Sequence, residues 1–284
     1  MSERAAPIFL KFLRPDKPFP TVWCEGCGIG IILGAIVRAV EGLGVDPSDV
    51  AMVSGIGCSG RMPVYADFAT MHVTHGRALA VATGLKLARP HMKMIVVMGD
   101  GDAVAIGGNH FIHAARRNLE MCAIVVNNMT YGMTGGQFSP TTPVGDPSYT
   151  SAYGTIEPTF DIPALAEAAG ASFVARTTVY HVMEMQKIIA RALAKKGFSA
   201  VEVVSNCHTY YGKMTGMKTA VDMMHWMKDA TAPVTLAPER REGKMPRGVL
   251  VDRELPEYGE AYVSLLERAR ADKARLLAAG MPVP

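Results

Sequence analysis

The sequence predicts an α/β fold: a doubly wound, mostly parallel sheet with a C-terminal extension. Three observations carry this. Short apolar runs rich in β-branched residues recur along the chain, among them Met94-Ile95-Val96-Val97-Met98 and Cys122-Ala123-Ile124-Val125-Val126. Helix-compatible stretches separate them, and Gly, Asn or Asp punctuates the junctions. A strand–helix–strand crossover makes its two strands parallel, so the alternation implies a wound sheet.

Taken in order, residues 28–43 present an apolar face of helical length. Residues 50–54 read as a strand. The glycine-rich loop Gly55-Ile56-Gly57-Cys58-Ser59-Gly60 follows and is able to approach a ligand closely. His75-Gly76-Arg77 opens a helix that runs to about Arg89 and is stopped by Pro90. The two apolar runs quoted above flank a helix over 109–118. Residues 129–160 are rich in Gly, Pro, Thr, Ser and Tyr with little periodicity, and a loop that long is more often functional than idle. Asp161 caps a helix with Pro163 in its first turn, ending near Gly170. A strand over 172–175, a helix over 180–196 and a strand over 200–204 complete the pattern. Beyond Tyr211 the texture changes to Gly, Met, Pro and charge clusters, then a charged amphipathic helix over 258–279. The expected division is 1–211 as the cofactor and cluster domain and 212–284 as an extension packing on the core or a partner. For 234–256, packing and partial disorder are both compatible with the composition.

The chain has 284 residues, 49% of them hydrophobic, enough for a large core. No uninterrupted apolar run is long enough to span a bilayer, and Met1-Ser2-Glu3-Arg4 lacks a signal-peptide pattern. A soluble cytoplasmic protein with no membrane association is expected. A net charge of +3 gives no reason to invoke nucleic acid, and it is compatible with an acidic redox partner. The 19 Met residues read mostly as adaptable core filler.

The chemistry concentrates in two constellations. Gly99-Asp100-Gly101-Asp102 follows one predicted strand and Asn127-Asn128 follows the next. Parallel strands end at one sheet edge, where open α/β sheets bind ligands, so Asp100 and Asn128 finish side by side. A carboxylate, an amide oxygen and a nearby carbonyl suit Mg²⁺ with a diphosphate completing its shell. The second constellation is sulfur. Five cysteines, an odd number in a chain without a secretory signature, argue for metal binding plus a spare. Cys24-Glu25-Gly26-Cys27 alone is compatible with a redox dithiol, half a zinc site or half an iron–sulfur site. Cys58 and Cys207 both follow predicted strands at the carboxyl edge, so four thiolates can converge there. Spacing does not separate zinc from a [4Fe–4S] cluster. A cluster would need an electron-rich partner beside it, which a structural zinc would not. Cys122 lies inside a strand pattern and reads as a small buried hydrophobe.

Together, Trp23-Cys24-Glu25-Gly26-Cys27-Gly28, the loop from Gly55 to Arg61, His72-Val73-Thr74-His75-Gly76-Arg77-Ala78, Gly99-Asp100-Gly101-Asp102 and the run from Asn127 to Gln137 resemble the β subunit of 2-oxoacid:ferredoxin oxidoreductases. The resemblance covers about residue 15 to Cys207. His75-Gly76-Arg77 through Pro90, with Ile106-Gly107-Gly108-Asn109-His110, is most similar to the 2-oxoglutarate branch. Two positions depart from the pattern: Glu25 stands where Pro is common, and Gly135 where some relatives carry Lys.

The resemblance implies thiamine diphosphate as cofactor, held with Mg²⁺ by Asp100, the Asn128 side chain and the Thr130 carbonyl. It implies cofactor contacts from Ile56, Gly57, Cys58, Ser59, His75, Gly101, Asp102, Gly132 and Met133. Cys24, Cys27, Cys58 and Cys207 would hold one [4Fe–4S] cluster. His75, at a predicted helix start where N–H groups favour a diphosphate, would also act on the substrate oxo group. The implied reaction is oxidative decarboxylation of a 2-oxoacid with coenzyme A, electrons leaving to ferredoxin, and CO₂ fixation in reverse. Arg61 matches the distal carboxylate of 2-oxoglutarate, since Arg forks bind carboxylates well. The family's Glu beside the cofactor's aminopyrimidine ring comes from an α subunit, and this chain offers no substitute. An obligate assembly, (αβ)₂, is therefore expected. The competing expectations are pyruvate or branched-chain substrates, a non-redox thiamine diphosphate lyase with a structural zinc, and a non-catalytic Cys₄ module. The last leaves the Asp100/Asn128 pairing without a role.

Overall fold

The computed structural model describes residues 11–17 and 20–279. Met1 to Arg4, which bore on the absence of a leader pattern, lie outside the described residues. In chain order the elements are α1 (Ile29–Gly42), β1 (Val50–Ser54), β2 (Ala69–His72), α2 (Ala78–Ala88), β3 (Lys93–Gly99), α3 (Gly108–Arg117), β4 (Met121–Asn127), α4 (Ile162–Ala168), β5 (Phe173–Thr178), α5 (Val182–Ala194), β6 (Phe198–Val204), α6 (Ala220–Asp229), β7 (Thr231–Pro233), β8 (Met245–Asp252) and α7 (Tyr258–Ala278).

The strands form one eight-stranded sheet in the order β2-β1-β3-β4-β6-β5-β8-β7. All pairings from β2 to β5 are parallel, β8 runs antiparallel to β5, and β7 is parallel to β8. Strands β3 and β4 are apolar along their length because both sheet faces are covered. On one face Ile95, Val97, Ile124 and Val201 pack under Ile32 and Ile36 of α1 and Ile189 of α5. On the other, Val96, Met98 and Val125 pack under Leu79 of α2, Phe111 of α3 and Ala166 of α4. The doubly wound expectation is met.

Several local features differ from the sequence reading. The helix expected from His75 starts at Ala78, and His75 stands in the turn before it. β2 was not expected, and its residues are mostly exposed at the sheet edge. The chain beyond Gly101 makes one π-helical turn, Gly101–Ala105, before α3. Within 234–256, residues 245–252 form β8 and join the sheet against β5. The helix expected over 258–279 is α7, which has no buried residue. Residues 129–160 contain neither helix nor strand, as the composition suggested. Asp161 caps α4 by accepting from the Ala164 N–H at 3.2 Å.

Candidate cofactor and metal site

Strand register places the site. Gly99 of β3 pairs with Val126 of β4, and Asn127 of β4 pairs with Val204 of β6. Ser54 of β1 pairs with Val97 of β3. The loop after Ser54, Asp100, Asn128 and Cys207 thus leave the sheet along one carboxyl edge, where this topology places ligands.

Asp100 is buried with a hydrogen-bonded carboxylate. Oδ1 accepts from the Gly101 N–H at 2.9 Å, and Oδ2 accepts from the hydroxyls of Ser139 at 2.8 Å and Thr141 at 2.6 Å. Burial pushes its pKa up, and these three donors oppose the shift. These three hydrogen-bond partners are all neutral, so a cation at this edge would be complementary to it. Asn128 and Thr130 lie one strand away, buried in the turn after β4. Met129 between them has φ +58°, a left-handed conformation uncommon for a residue with a side chain. That turn is held by Asn127, whose Oδ1 accepts from the Met129 N–H at 3.1 Å. Thr142 donates to the Met129 carbonyl at 2.8 Å.

A cavity of about 180 Å³ opens beside these groups, lined by residues that include Ile56, Gly57, Ser59, Gly101, Tyr131 and Met133. Gly57 has φ +122° and nothing within 4 Å of where a Cβ would stand, and Gly101 lies so close to the Tyr131 ring that a Cβ would overlap it. His75 and Asp102 share this cavity. His75 Nδ1 lies 2.8 Å from Asp102 Oδ1, which also accepts from the Gly76 N–H. The first N–H of that turn is therefore committed to Asp102. The two side chains are within ion-pair distance, and Asp102 Oδ2 is buried beside them without a hydrogen-bond partner among the described residues.

The four cysteines also meet. Cys24, Cys27, Cys58 and Cys207 line one cavity of about 210 Å³. Asn206, next to Cys207, clamps the first pair: its Oδ1 accepts from the Gly28 N–H and its Nδ2 donates to the Gly26 carbonyl, both at 2.8 Å. The Trp23 indole donates to the Cys58 carbonyl at 2.7 Å. Burial, with a smaller contribution from neighbouring cysteines, pushes the Cys27 thiol up to about 12 and the Cys58 thiol up to about 11. A positive centre between them would favour their thiolates. Among the described residues no three His, Cys, Asp or Glu side chains converge on the position of a single ion. Cys122 is buried in β4, as its strand pattern suggested.

The two cavities share a wall that includes Cys58, Asn128, Gly132 and Met133. A Cβ on Gly132 would lie 3.5 Å from both Cys58 Sγ and Cys207 Sγ and 3.7 Å from Asn128 Nδ2. Those two sulfurs are therefore no more than about 7 Å apart, with the expected magnesium ligand beside them.

Arg61 stands apart. It is exposed in the short helical turn Ser59–Val64, its charge reaching Cys58, and it lines neither cavity. The sequence reading also missed Ser139 and Thr141, which lie in a loop without periodicity, and Asn127. It missed Arg176 and Glu202 as well, although a charge inside the apolar run 200–204 is a readable sign of buried pairing.

Residues 48–203 match the family described as thiamine pyrophosphate enzyme, C-terminal TPP binding domain. The chain is 46% identical over 263 residues to 2-oxoglutarate synthase subunit KorB of Methanothermobacter marburgensis, covering 91% of this chain and 92% of that one. The subunit of the same name from Archaeoglobus fulgidus is 55% identical over 202 residues, covering 71% and 75%. A solved structure, 2-oxoglutarate:ferredoxin oxidoreductase from Magnetococcus marinus with 2-oxoglutarate, coenzyme A and succinyl-CoA bound, superposes with a TM-score of 0.83 at 32% identity, covering 96% of each chain. Fold and cavity define a thiamine diphosphate enzyme. Within that class the chain belongs to the 2-oxoacid:ferredoxin oxidoreductase β subunits, in the 2-oxoglutarate branch.

Proposed function

We propose that this chain is the β subunit of an enzyme that converts 2-oxoglutarate and coenzyme A to succinyl-CoA and CO₂, passing electrons through a [4Fe–4S] cluster to ferredoxin. With a low-potential donor the same machinery runs in reverse and fixes CO₂. The observation that carries the reading is the shared wall at Gly132, which sets an oxygen-donor site and a thiol cradle in direct contact.

The residues present fit the groups implied. Asp100, the Asn128 side chain and the Thr130 carbonyl would hold Mg²⁺ against a diphosphate. Thiamine diphosphate would lie along Ile56, Gly57, Ser59, Gly101, Gly132 and Met133, supplying the electron sink for cleavage beside the 2-oxo carbon. Cys24, Cys27, Cys58 and Cys207 would hold the cluster. A structural zinc is disfavoured because a redox cofactor beside the thiols calls for an electron acceptor, which zinc is not. His75, 2.8 Å from Asp102 and lining the cavity, can move a proton at the substrate oxo oxygen. Asp102 is thereby better placed to orient His75 than to meet an anionic diphosphate. We assign Arg61, at the exposed turn after Cys58, to the distal substrate carboxylate.

The carboxylates lining the cofactor cavity are Asp100 and Asp102, both already engaged. The Glu that activates the cofactor in this family would come from an α subunit, in an (αβ)₂ assembly. Tyr153 and Ile156, fully exposed in the loop after β4, support a partner chain here. We assign residues 1–211 to cofactor and cluster binding and 212–284 to an extension whose strands β7 and β8 widen the sheet. No helix among the described residues is long and apolar enough to cross a membrane, in keeping with a cytoplasmic site of action.

The test is anaerobic purification of the full chain with its α subunit, followed by ferredoxin reduction with 2-oxoglutarate, pyruvate and branched-chain 2-oxoacids plus coenzyme A. Brown colour, a paramagnetic signal on reduction and preference for 2-oxoglutarate are expected. A colourless, zinc-loaded complex, or full turnover by this chain alone, would refute the reading.

A further inference from the structure

A buried polar array runs through the sheet beneath the proposed magnesium site, and the reaction makes no direct use of it. Glu202 in β6 and Arg176 in β5 are register partners on adjacent strands, each about 95% buried or more. Arg176 Nε donates to Glu202 Oε2, and its Nη2 donates to Asp161 Oδ1 at 2.8 Å. The other carboxylate oxygen, Glu202 Oε1, accepts from Asn127 Nδ2 at 2.7 Å.

That last bond has a directional consequence. An ionised carboxylate only accepts, so it turns the Asn127 NH₂ inward and its carbonyl oxygen toward the ligand edge. There Asn127 Oδ1 accepts from the Met129 N–H at 3.1 Å and lies 2.9 Å from the Thr141 hydroxyl, sharing its single hydrogen with Asp100. Thr141 also lies 2.6 Å from Asp100 Oδ2. One amide thus braces the left-handed Met129 turn, with Asn128 and Thr130 on either side, and steadies the Asp100 carboxylate. Reversing the amide would aim an NH₂ at the Met129 N–H, two donors face to face. A buried ion pair is a poor source of stability in itself, since desolvation offsets most of its Coulomb gain.

We propose that the Glu202–Arg176 pair is a positioning device for the magnesium ligands, acting through the orientation of the Asn127 amide. The inference rests on the magnesium assignment above. It names Arg176, Glu202 and Asn127 as positioning residues, since none of them lines the cofactor cavity.

The test uses the full chain in its native assembly, stripped of metal, with Mg²⁺ titrated calorimetrically at fixed thiamine diphosphate and thermal melts run in parallel. In Glu202→Gln the Arg176 guanidinium claims the new amide's oxygen, so its NH₂ faces Asn127 and forces that amide to reverse. Mg²⁺ affinity is expected to fall by about tenfold or more, the usual scale for groups that orient metal ligands. Adding Arg176→Met frees the Gln to turn its oxygen to Asn127, and affinity is expected to return to within about threefold of wild type, on the same scale. A merely structural role would shift the melting temperature and leave Mg²⁺ affinity in place, which overturns the proposal, as does a double variant no better than Glu202→Gln. Should Glu202→Gln not fold, Arg176→Met/Glu202→Met removes the pair without leaving a charge, and unchanged Mg²⁺ affinity there overturns the proposal equally. Asp100→Asn is the control. If it leaves Mg²⁺ binding intact, the magnesium assignment falls and this inference with it; if it abolishes binding while the Glu202 variants do not, only the inference falls.

Discussion

At the scale of single residues, the site trades stability for function, and Asp100 shows how. A buried carboxylate surrounded by neutral donors costs free energy until a cation arrives. Asn keeps the shape and drops the charge. Asp100→Asn is therefore expected to abolish Mg²⁺ binding while leaving the metal-free melting temperature unchanged or raised, which calorimetry and a melt in EDTA would show together. A large drop in the metal-free melt would mean that the carboxylate is structural. The cysteines divide in the same way. Cys58→Ser is expected to lose the visible absorbance and the iron, because that thiol lines both cavities. Cys122→Ala, buried near the start of β4, is expected to keep full iron content at a cost of about 1 kcal/mol in denaturant unfolding. Arg61→Ala is expected to weaken 2-oxoglutarate turnover far more than pyruvate turnover. Equal losses on both substrates would remove its assignment to the distal carboxylate.

At the scale of elements, legibility followed burial. Strands β3, β4 and β6 were readable because both faces are covered, so each is dominated by apolar residues, with Glu202 of β6 the buried exception. β2 was not, since Ala69-Thr70-Met71-His72 is a mostly exposed edge with no alternation to betray it. β8 was hidden by Pro246, Arg247 and Gly248 near its start, residues that suit a late strand held by a bulged antiparallel pairing with β5. The proposed metal-binding motif stands out in the sequence because Asp100 and the Asn127-Asn128 pair each close an apolar strand run. Its support does not. Ser139 and Thr141 come from a loop whose order arises from tertiary bonds to Asp100. Helix α3 is anchored by Phe111, fully buried and packed edge-on against Phe198 of β6 with ring centroids 6.1 Å apart. Phe111→Ala should cost about 3–5 kcal/mol in denaturant unfolding. A cost under about 1 kcal/mol would mean that the layer repacks without it.

At the scale of the whole molecule, six chain segments reach the site: the Cys24–Cys27 loop, the loop after β1, the His75 turn before α2, the turn after β3, the turn after β4 and the chain after β6. They converge because their strands share a sheet edge, and hydrogen bonds such as those of Asn206 to Gly26 and Gly28 and of Trp23 to Cys58 tie neighbours together. A ligand that touches several of them binds the folded chain and has no counterpart in the unfolded one. It must therefore stabilise the fold by mass action, by about 2.7 kcal/mol at one hundred times its dissociation constant. For a chain of this size that corresponds to a rise of roughly 5–10 °C in melting temperature. Thiamine diphosphate with Mg²⁺ is expected to produce that rise, and EDTA to reverse it, because the diphosphate and Asp100 repel each other without a cation between them. A rise that survives EDTA would place the cofactor's anchor away from Asp100 and Asn128, and the carboxyl edge would lose its claim to be the binding site.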